Sequence, residues 1–594
     1  MNILLTAINA KYIHSNLAVY SLRACAGEYR DAVELAEYTI NNQKDYILEE
    51  LYKRKPDVLC FSCYIWNIDY VTDIAREYKK LCPSVPIWVG GPEVSYEVEA
   101  FLRENPYIDG VMIGEGEDTF RELCGYYAHK RKLSDIAGIA FRKNSTGNST
   151  SNRTSVNNAG CKAGEIVFTS PRPIKNMSEI PFCYDTLDDF SNRIIYYESS
   201  RGCPFSCSYC LSSVDKTLRF RNTEIVKREL KFFIDQKVPQ IKFVDRTFNC
   251  NHAHAMELWR FIKANDNGVT NFHFEISADL LNQEELELIS DMRPGLIQLE
   301  IGVQSTNEVT IKEIHRTMKL ERLKEVVKLI QSGNNIHEHL DLIAGLPYEG
   351  YDSFARSFDE IYELKPNQLQ LGFLKVLKGS YMFEHAAEYG IVYHDKPPYE
   401  VMSTKWLSFD DVIKIKRVED MLEVYYNSGQ FEITMKLMEC IFDSAFEFFQ
   451  ELGDFYEANG YFGMSHSRIR RCEILLEFLA LYLHGCDSDA MTSVVLSENA
   501  GDRDNTDFDE NAQIYSMIQE SLIFDLYYRE NCKSRPRWAT DIGSFKHMTH
   551  AYCKNGKLSH VEPFHYIFPD KHTRKLDELP KYHKEPVWAL FHYD

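Results

Sequence analysis

The stretch CPFSCSYC, residues 203–210, places three thiols at spacings of four and three residues in a chain of 594. A structural zinc site or a ferredoxin-type cluster takes four protein ligands, and no fourth candidate stands beside these three. Cys203, Cys207 and Cys210 therefore outline a metal centre with one open corner. A partial zinc site or three unrelated cysteines are the alternatives to that reading.

Working outward, short apolar runs recur on either side of the cysteines. RIIYYES (193–199), QIKFVD (240–245), FHFEIS (272–277), LIQLEIGV (296–303), HEHLDLI (337–343) and QLQLGFL (368–374) read as strands, with helical stretches such as TEIVKRELKFFIDQ between them. Six parallel strands with crossover helices predict a complete or partial barrel. The cysteines begin just after its first strand, on the loop face where barrels place their active sites.

The first 140 or so residues show a second alternation. NILLTA (2–7), AVELAEY (32–38), DVLCFSC (57–63), VPIWVGG (85–91) and IDGVMIGEGE (108–117) are strand-like, and NIDYVTDIAREYKKL (67–81) is helical. The pattern predicts a doubly wound, flavodoxin-like or Rossmann-like α/β domain that binds its ligand beyond the carboxyl ends of the strands. Gly90, Gly91, Gly114 and Gly116 fall at such ends, where the lack of a side chain lets a ligand approach the backbone. Residues 144–165 are rich in Asn, Ser, Thr and Gly and read as a loop, whose sequons at Asn144, Asn148 and Asn152 are incidental. After about residue 405 the spacing turns helical, with an acidic stretch at 497–513 read as a loop and a short irregular tail. The expected division is 1–142, a linker over 143–190, a barrel over 191–404 and a mainly α-helical region over 405–594.

The formal charge of −21, from 88 acidic against 67 basic side chains, disfavours nucleic acid or an anionic membrane as the main partner. The absence of a signal-like start or a long apolar run, and the scatter of sixteen cysteines, point to a reducing cytoplasm. Cys60, Cys63 and Cys82 are read as buried apolar residues.

With its CxxxCxxC spacing, RGCPFSCSYC resembles the signature of the radical S-adenosylmethionine (SAM) superfamily. The resemblance implies a 4Fe-4S cluster held by the three cysteines, whose free iron chelates S-adenosyl-L-methionine and cleaves it to methionine and a 5′-deoxyadenosyl radical. Tyr209 stands where the superfamily carries an aromatic residue near the adenine. Glu275 in FEIS, Gln304 in GVQS, Arg316 in IHRTM and Asp341 in LDLIAGLP match, in order, contacts of the coproporphyrinogen-oxidase-like branch. Glu275, Gln304 and Asp341 are thereby assigned to ribose hydroxyls and Arg316 to the methionine carboxylate. The usual GGE motif is replaced by FVDRTFN (243–249), where Asp245 is either the amine contact or a strand-end cap.

The N-terminal domain resembles the cobalamin (B12)-binding domain of one branch of that superfamily, through INAKYIHSNLAVYSLRA (8–24), VGGPEVS (89–95) and GEGEDTFREL (114–123). That assigns Gly90, Gly91, Gly114 and Gly116 to a corrinoid. The Asp-x-His-x-x-Gly motif is absent, and His14 is read as a polar contact or cap.

Together these imply a cobalamin-dependent radical methyltransferase acting on an unactivated carbon, or a phosphinate phosphorus, of a small molecule or peptide. An electron donor such as flavodoxin or ferredoxin would serve it. A non-methylating cyclase or ring-rearranging oxidoreductase, and a non-catalytic cobalamin or cluster sensor, remain as alternatives. The helical extension is expected to cap the barrel mouth.

Overall fold

Burial along the whole of ILLTAIN makes Ile3–Asn9 (β1) a central strand. β2 (Val33–Thr39), β3 (Val58–Ser62), β4 (Ile87–Gly90) and β5 (Gly110–Met112) join it in parallel, in the order β2-β1-β3-β4-β5. The order reverses between β1 and β3, which opens a crevice at the carboxyl ends of those strands. The helix Leu17–Cys25 starts beside that crevice, capped by Asn16, whose side chain accepts from the Val19 amide.

The computed structural model describes residues 1–143, 165–484, 510–532, 535–539, 559–569, 573–576 and 578–593. The sequon-bearing stretch 144–164 and residues 497–509 of the acidic stretch lie outside the described residues.

The sheet continues past the expected boundary. β6 (Ile139–Arg142) pairs antiparallel with β5, and β7 (Ile166–Phe168) pairs antiparallel with β6. β7 lies inside the segment read as a linker, and Met177, Cys183, Tyr184 and Phe190 farther along it are buried. This is a correction. The polar loop masked a return of the chain to the core, because a three-residue strand carries too little periodicity to be seen.

The second sheet contains the six expected strands, all parallel: β8 (Ile195–Tyr197), then, after the short β9 (Ser200–Arg201) and β10 (Arg219–Phe220), β11 (Gln240–Phe243), β12 (Asn271–Ile276), β13 (Ile297–Gln304), β14 (His337–Ala344) and β15 (Gln368–Phe373). Their order, β8-β11-β12-β13-β14-β15, leaves β8 and β15 as edges, so the sheet is a partial (βα)6 barrel. Each edge is covered from outside. At β8, the Ile194 amide donates to the Ile13 carbonyl at 2.8 Å and Ser15 Oγ donates to the Ile194 carbonyl at 2.8 Å. At β15, the Asn427 side chain accepts from the Leu369 amide at 3.0 Å and donates to its carbonyl at 2.7 Å.

Beyond the barrel, β16 (Val392–Tyr393) and β17 (Val401–Ser403) form a small antiparallel pair. A helical region follows, in which Phe409–Met421 packs on Ala445–Ala458 and Glu510–Arg529 on Glu432–Ile441. It docks on the flank of the barrel, where Asp359 accepts from Ser444 Oγ at 2.7 Å and from the Phe446 amide at 2.8 Å. At the mouth, Trp406 packs on Tyr348 of the loop after β14, with 4.4 Å between ring centroids. The tail expected to be irregular holds a hairpin, β18 (Ser559–Tyr566) with β19 (Tyr582–His592), whose Val561, Phe564 and Phe591 are buried. Among the described residues, no helix is long and apolar enough to cross a membrane.

Candidate active site between the two sheets

The cysteines sit on one loop whose base is the antiparallel pair β9–β10, with Arg201 directly opposite Arg219. Gly202 opens the loop at φ +88°, and a Cβ there would lie 2.5 Å from the Thr217 carbonyl oxygen, so only glycine fits. Farther along, the Ser208 amide donates to the Ile314 carbonyl and the Met382 amide donates to the Ser208 carbonyl, both at 2.9 Å. All three thiols are free, Cys203 and Cys207 buried and Cys210 half-buried. Three free thiols on one loop suit an iron–sulfur cluster.

Asp245 lies beneath this loop, fully buried. It accepts from the Ser199 amide at 2.8 Å, from Ser199 Oγ at 2.5 Å and from Ser200 Oγ at 2.6 Å. Burial pushes its carboxyl up to about 6 against those hydrogen bonds. Of the two readings left open for Asp245, the geometry matches the strand-end cap, since the chain itself engages both oxygens. His254, pushed down to about 4 by burial, completes the network 3.0 Å from Ser199 Oγ.

On the barrel side, Arg316 reaches the cysteines. Its Nη1 donates to Tyr209 Oη at 3.3 Å and lies 3.9 Å from Cys207 Sγ, while Nη2 donates to the Gly302 carbonyl. Its Nε is buried without a partner, as a guanidinium awaiting a carboxylate would be. Gln304 ends β13 at φ +75°, next to a register shift against β14. A non-glycine residue held there stores backbone strain of the kind found at binding sites.

The barrel lumen is polar. Lys242 Nζ lies 2.9 Å from Glu300 Oε2, His273 Nε2 lies 3.0 Å from the same oxygen, and His339 Nε2 lies 3.1 Å from Asp341 Oδ1. Burial works to raise Glu300, but His273 and Lys242 hold it at about 2. Glu275, its register partner on β12, is pushed up to about 7 by burial and then by the Glu300 charge. Barrel interiors are ordinarily filled by Val, Ile and Leu, so this wall is built for a polar guest. Glu300, His339 and Asp341 could by spacing hold a metal ion, but the Lys242 ammonium already supplies the positive charge.

A cavity of about 360 Å³ separates the two sheets. Gly90, Gly91, Gly114 and Gly116 line one wall, and Glu198 and Arg201 line the other. No atom stands within 4 Å of where a side chain on Gly114 would begin, so the backbone there is an open cradle. The glycine-lined wall fits a bulky ligand approaching the main chain, and the enclosed volume accommodates part of a corrinoid rather than all of it. His14 is not in this wall. Its Nδ1 meets Tyr196 Oη at 2.7 Å beside the edge of β8, which is a polar contact.

Cys60 and Cys63 are buried as expected, but Cys82 is only partly so. The sequence reading passed over Glu115, Glu117, Arg201, Lys242, His273, Glu300 and His339. A signal existed for the last four. Parallel strands buried on both faces run continuously apolar, whereas FHFEIS and HEHLDLI alternate polar with apolar residues.

Family models match three parts of the chain: B12 binding domain over residues 3–124, Radical SAM superfamily over 197–361, and a protein of unknown function (DUF4080) over 387–578. The chain thus carries a region matching the Radical SAM superfamily model and, before it, one matching the B12 binding domain model. An uncharacterized methyltransferase of Pyrococcus horikoshii is 24% identical over 61% of this chain and 75% of its own length. The cobalamin-dependent radical SAM methyltransferase TokK of Streptomyces tokunonensis is 28% identical over 57% of this chain, which spans only 49% of that protein. Among solved structures, the cobalamin-dependent S-adenosylmethionine radical enzyme OxsB matches at TM-score 0.55 and 15% identity, over 88% of this chain and 80% of that one. This last likeness shows the fold.

Proposed function

We propose that this chain is a cobalamin-dependent radical SAM enzyme that methylates an unactivated carbon or a phosphinate phosphorus of a small molecule or peptide. The observation that carries the reading is the shared cavity, with the corrinoid-type glycine wall on one side and, on the other, Arg201, two residues before the first cluster cysteine. Cys203, Cys207 and Cys210 would hold the cluster. Arg316, with its unpartnered Nε, would take the cosubstrate's carboxylate, and Glu275, Gln304 and Asp341 its ribose. When bound, the cluster supplies the electron that cleaves S-adenosylmethionine and the corrinoid supplies the methyl group to be transferred. The chain's own work is to hold the cosubstrate by its charged ends, to present a polar lumen to the substrate and to keep the two sites facing one another.

The deciding experiment uses full-length protein reconstituted without oxygen, with iron, sulfide, hydroxocobalamin and a flavodoxin or chemical reductant. Bound iron and corrinoid are quantified, and 5′-deoxyadenosine and S-adenosylhomocysteine are followed by chromatography. Both cofactors retained, with both nucleosides formed, is the expected result. Deoxyadenosine without retained corrinoid would remove methylation as the reading.

The assignment of Glu275 makes a pH prediction. A carboxyl raised to about 7 is protonated below that pH and accepts fully from two ribose hydroxyls only when ionised. Affinity for S-adenosylmethionine is expected to rise about fivefold between roughly pH 6 and 8, the difference between a neutral and a charged acceptor. Glu275→Gln is expected to flatten the profile. Equilibrium dialysis across that range checks it, and a flat wild-type curve would refute the ribose role.

A further inference from the structure

The stretch Gly114–Glu117 alternates glycine with glutamate, and Glu117 joins the two glycines in lining the cavity. Its glycines line the cavity assigned above to a corrinoid. Its glutamates reach across to the base of the cysteine loop. Glu117 Oε1 accepts from Arg201 Nη2 at 2.5 Å, while Glu115 Oε1 lies 2.6 Å from Arg219 Nη2 and 3.5 Å from Arg201 Nη1. Arg201 also donates to both Glu198 oxygens at 2.9 Å. The Glu115 carboxylate takes the Lys175 amide at 3.1 Å, and Arg219 returns a hydrogen bond to the Lys175 carbonyl at 3.0 Å.

Arg201 and Arg219 are direct cross-strand partners in the β9–β10 pair. Like charges set opposite one another in a ladder repel. These two strands, two residues each, close the loop that carries all three cluster cysteines. Within the hairpin Glu198 answers Arg201 at 2.9 Å and Asp215 answers Arg219 at only 3.4 Å, and the N-terminal domain adds the shorter pairs from Glu115 and Glu117. Glu117 is 5% exposed, so losing either partner leaves a desolvated charge.

We propose that Glu115 and Glu117 are positioning residues that couple the two cofactor sites, so that a corrinoid seated on Gly114 and Gly116 tightens the cysteine loop through Arg201 and Arg219. The inference rests on the function proposed above. Binding linkage is reciprocal, so an assembled cluster must strengthen corrinoid binding by the same factor that the corrinoid strengthens cluster retention.

The test is the dissociation constant of hydroxocobalamin, read by absorbance on the full chain with and without its cluster, together with the rate of iron loss to a chelator with and without hydroxocobalamin. Wild type is expected to bind the corrinoid about 5- to 150-fold more tightly when the cluster is present, the usual range of such couplings, and to lose iron more slowly when the corrinoid is present. In Glu117→Gln and Glu115→Gln the ratio is expected to fall toward one while each cofactor still binds alone. The charge-keeping variants Glu117→Asp and Glu115→Asp are expected to retain a ratio well above one, and carry the test if the glutamine variants do not fold. A ratio of one in wild type with both cofactors bound, or an unchanged ratio in both glutamine variants, overturns the coupling and leaves the function standing. No corrinoid uptake by wild type overturns both.

Discussion

Cys207→Ala is expected to lose the cluster absorbance and all formation of 5′-deoxyadenosine while the protein stays folded. Cys207 is the middle of the three thiols, buried, and 3.9 Å from Arg316 Nη1. A cube with an open iron already rests on three protein ligands, and two cannot retain it. The loss should therefore reach the assay floor rather than a partial decrement. Cys60→Ala is the control, because Cys60 is also buried but lies in β3 among apolar neighbours. It is expected to keep iron and turnover and to cost only packing stability, about 1 kcal/mol for a small buried side chain. Iron analysis, circular dichroism and product chromatography on both variants check the pair. Turnover surviving in Cys207→Ala would dismiss the cluster assignment.

Gly302→Ala is expected to weaken S-adenosylmethionine binding by about 10- to 100-fold, or roughly 1.4–2.8 kcal/mol, with iron content intact. A Cβ on Gly302 would stand 2.4 Å from Gln304 Nε2 and 3.5 Å from Arg316 Nη2. Both side chains belong to the proposed cosubstrate site, and Arg316 is also anchored on the Gly302 carbonyl. One methyl group would therefore displace the amide and crowd the guanidinium together, without touching a cysteine. Gln304 has little freedom to give way, because its backbone is held at φ +75° beside the register shift. Equilibrium dialysis against S-adenosylmethionine, alongside iron quantification, measures it. Wild-type affinity in Gly302→Ala would show that Gln304 and Arg316 do not contact the cosubstrate.

Short apolar or alternating runs spaced by helical stretches made the two sheets legible. All six barrel strands and all five parallel N-terminal strands fall within two or three residues of their expected positions at most ends, since each is a buried run bounded by turn residues. Short strands were not legible. β7 has three residues and β9 and β10 have two each, too few for any period, and all are fixed by partners distant in sequence. In the site, the cysteines were visible because their spacing is itself the signal. GEGE showed its glycines and hid its glutamates: a flexible turn can be read locally, but a carboxylate's partner in a different domain cannot. Asp245 was ambiguous in sequence for the same reason, and the two serines that occupy it lie 45 and 46 residues away.

The six-stranded sheet closes on neither side by itself. One free edge, at β8, is finished by backbone and serine hydrogen bonds from residues 13–15, and the other, at β15, by the amide of Asn427. An unprotected sheet edge is a template for pairing with other chains, so the flanking regions act as stoppers for a barrel that would otherwise polymerise or bind strangers. The three regions are thus poor candidates for recombination as independent cassettes. A new neighbour joined to this barrel must bring its own edge cover as well as its own ligand site. This sets a structural limit on how such a chain can be rearranged in evolution or in the laboratory.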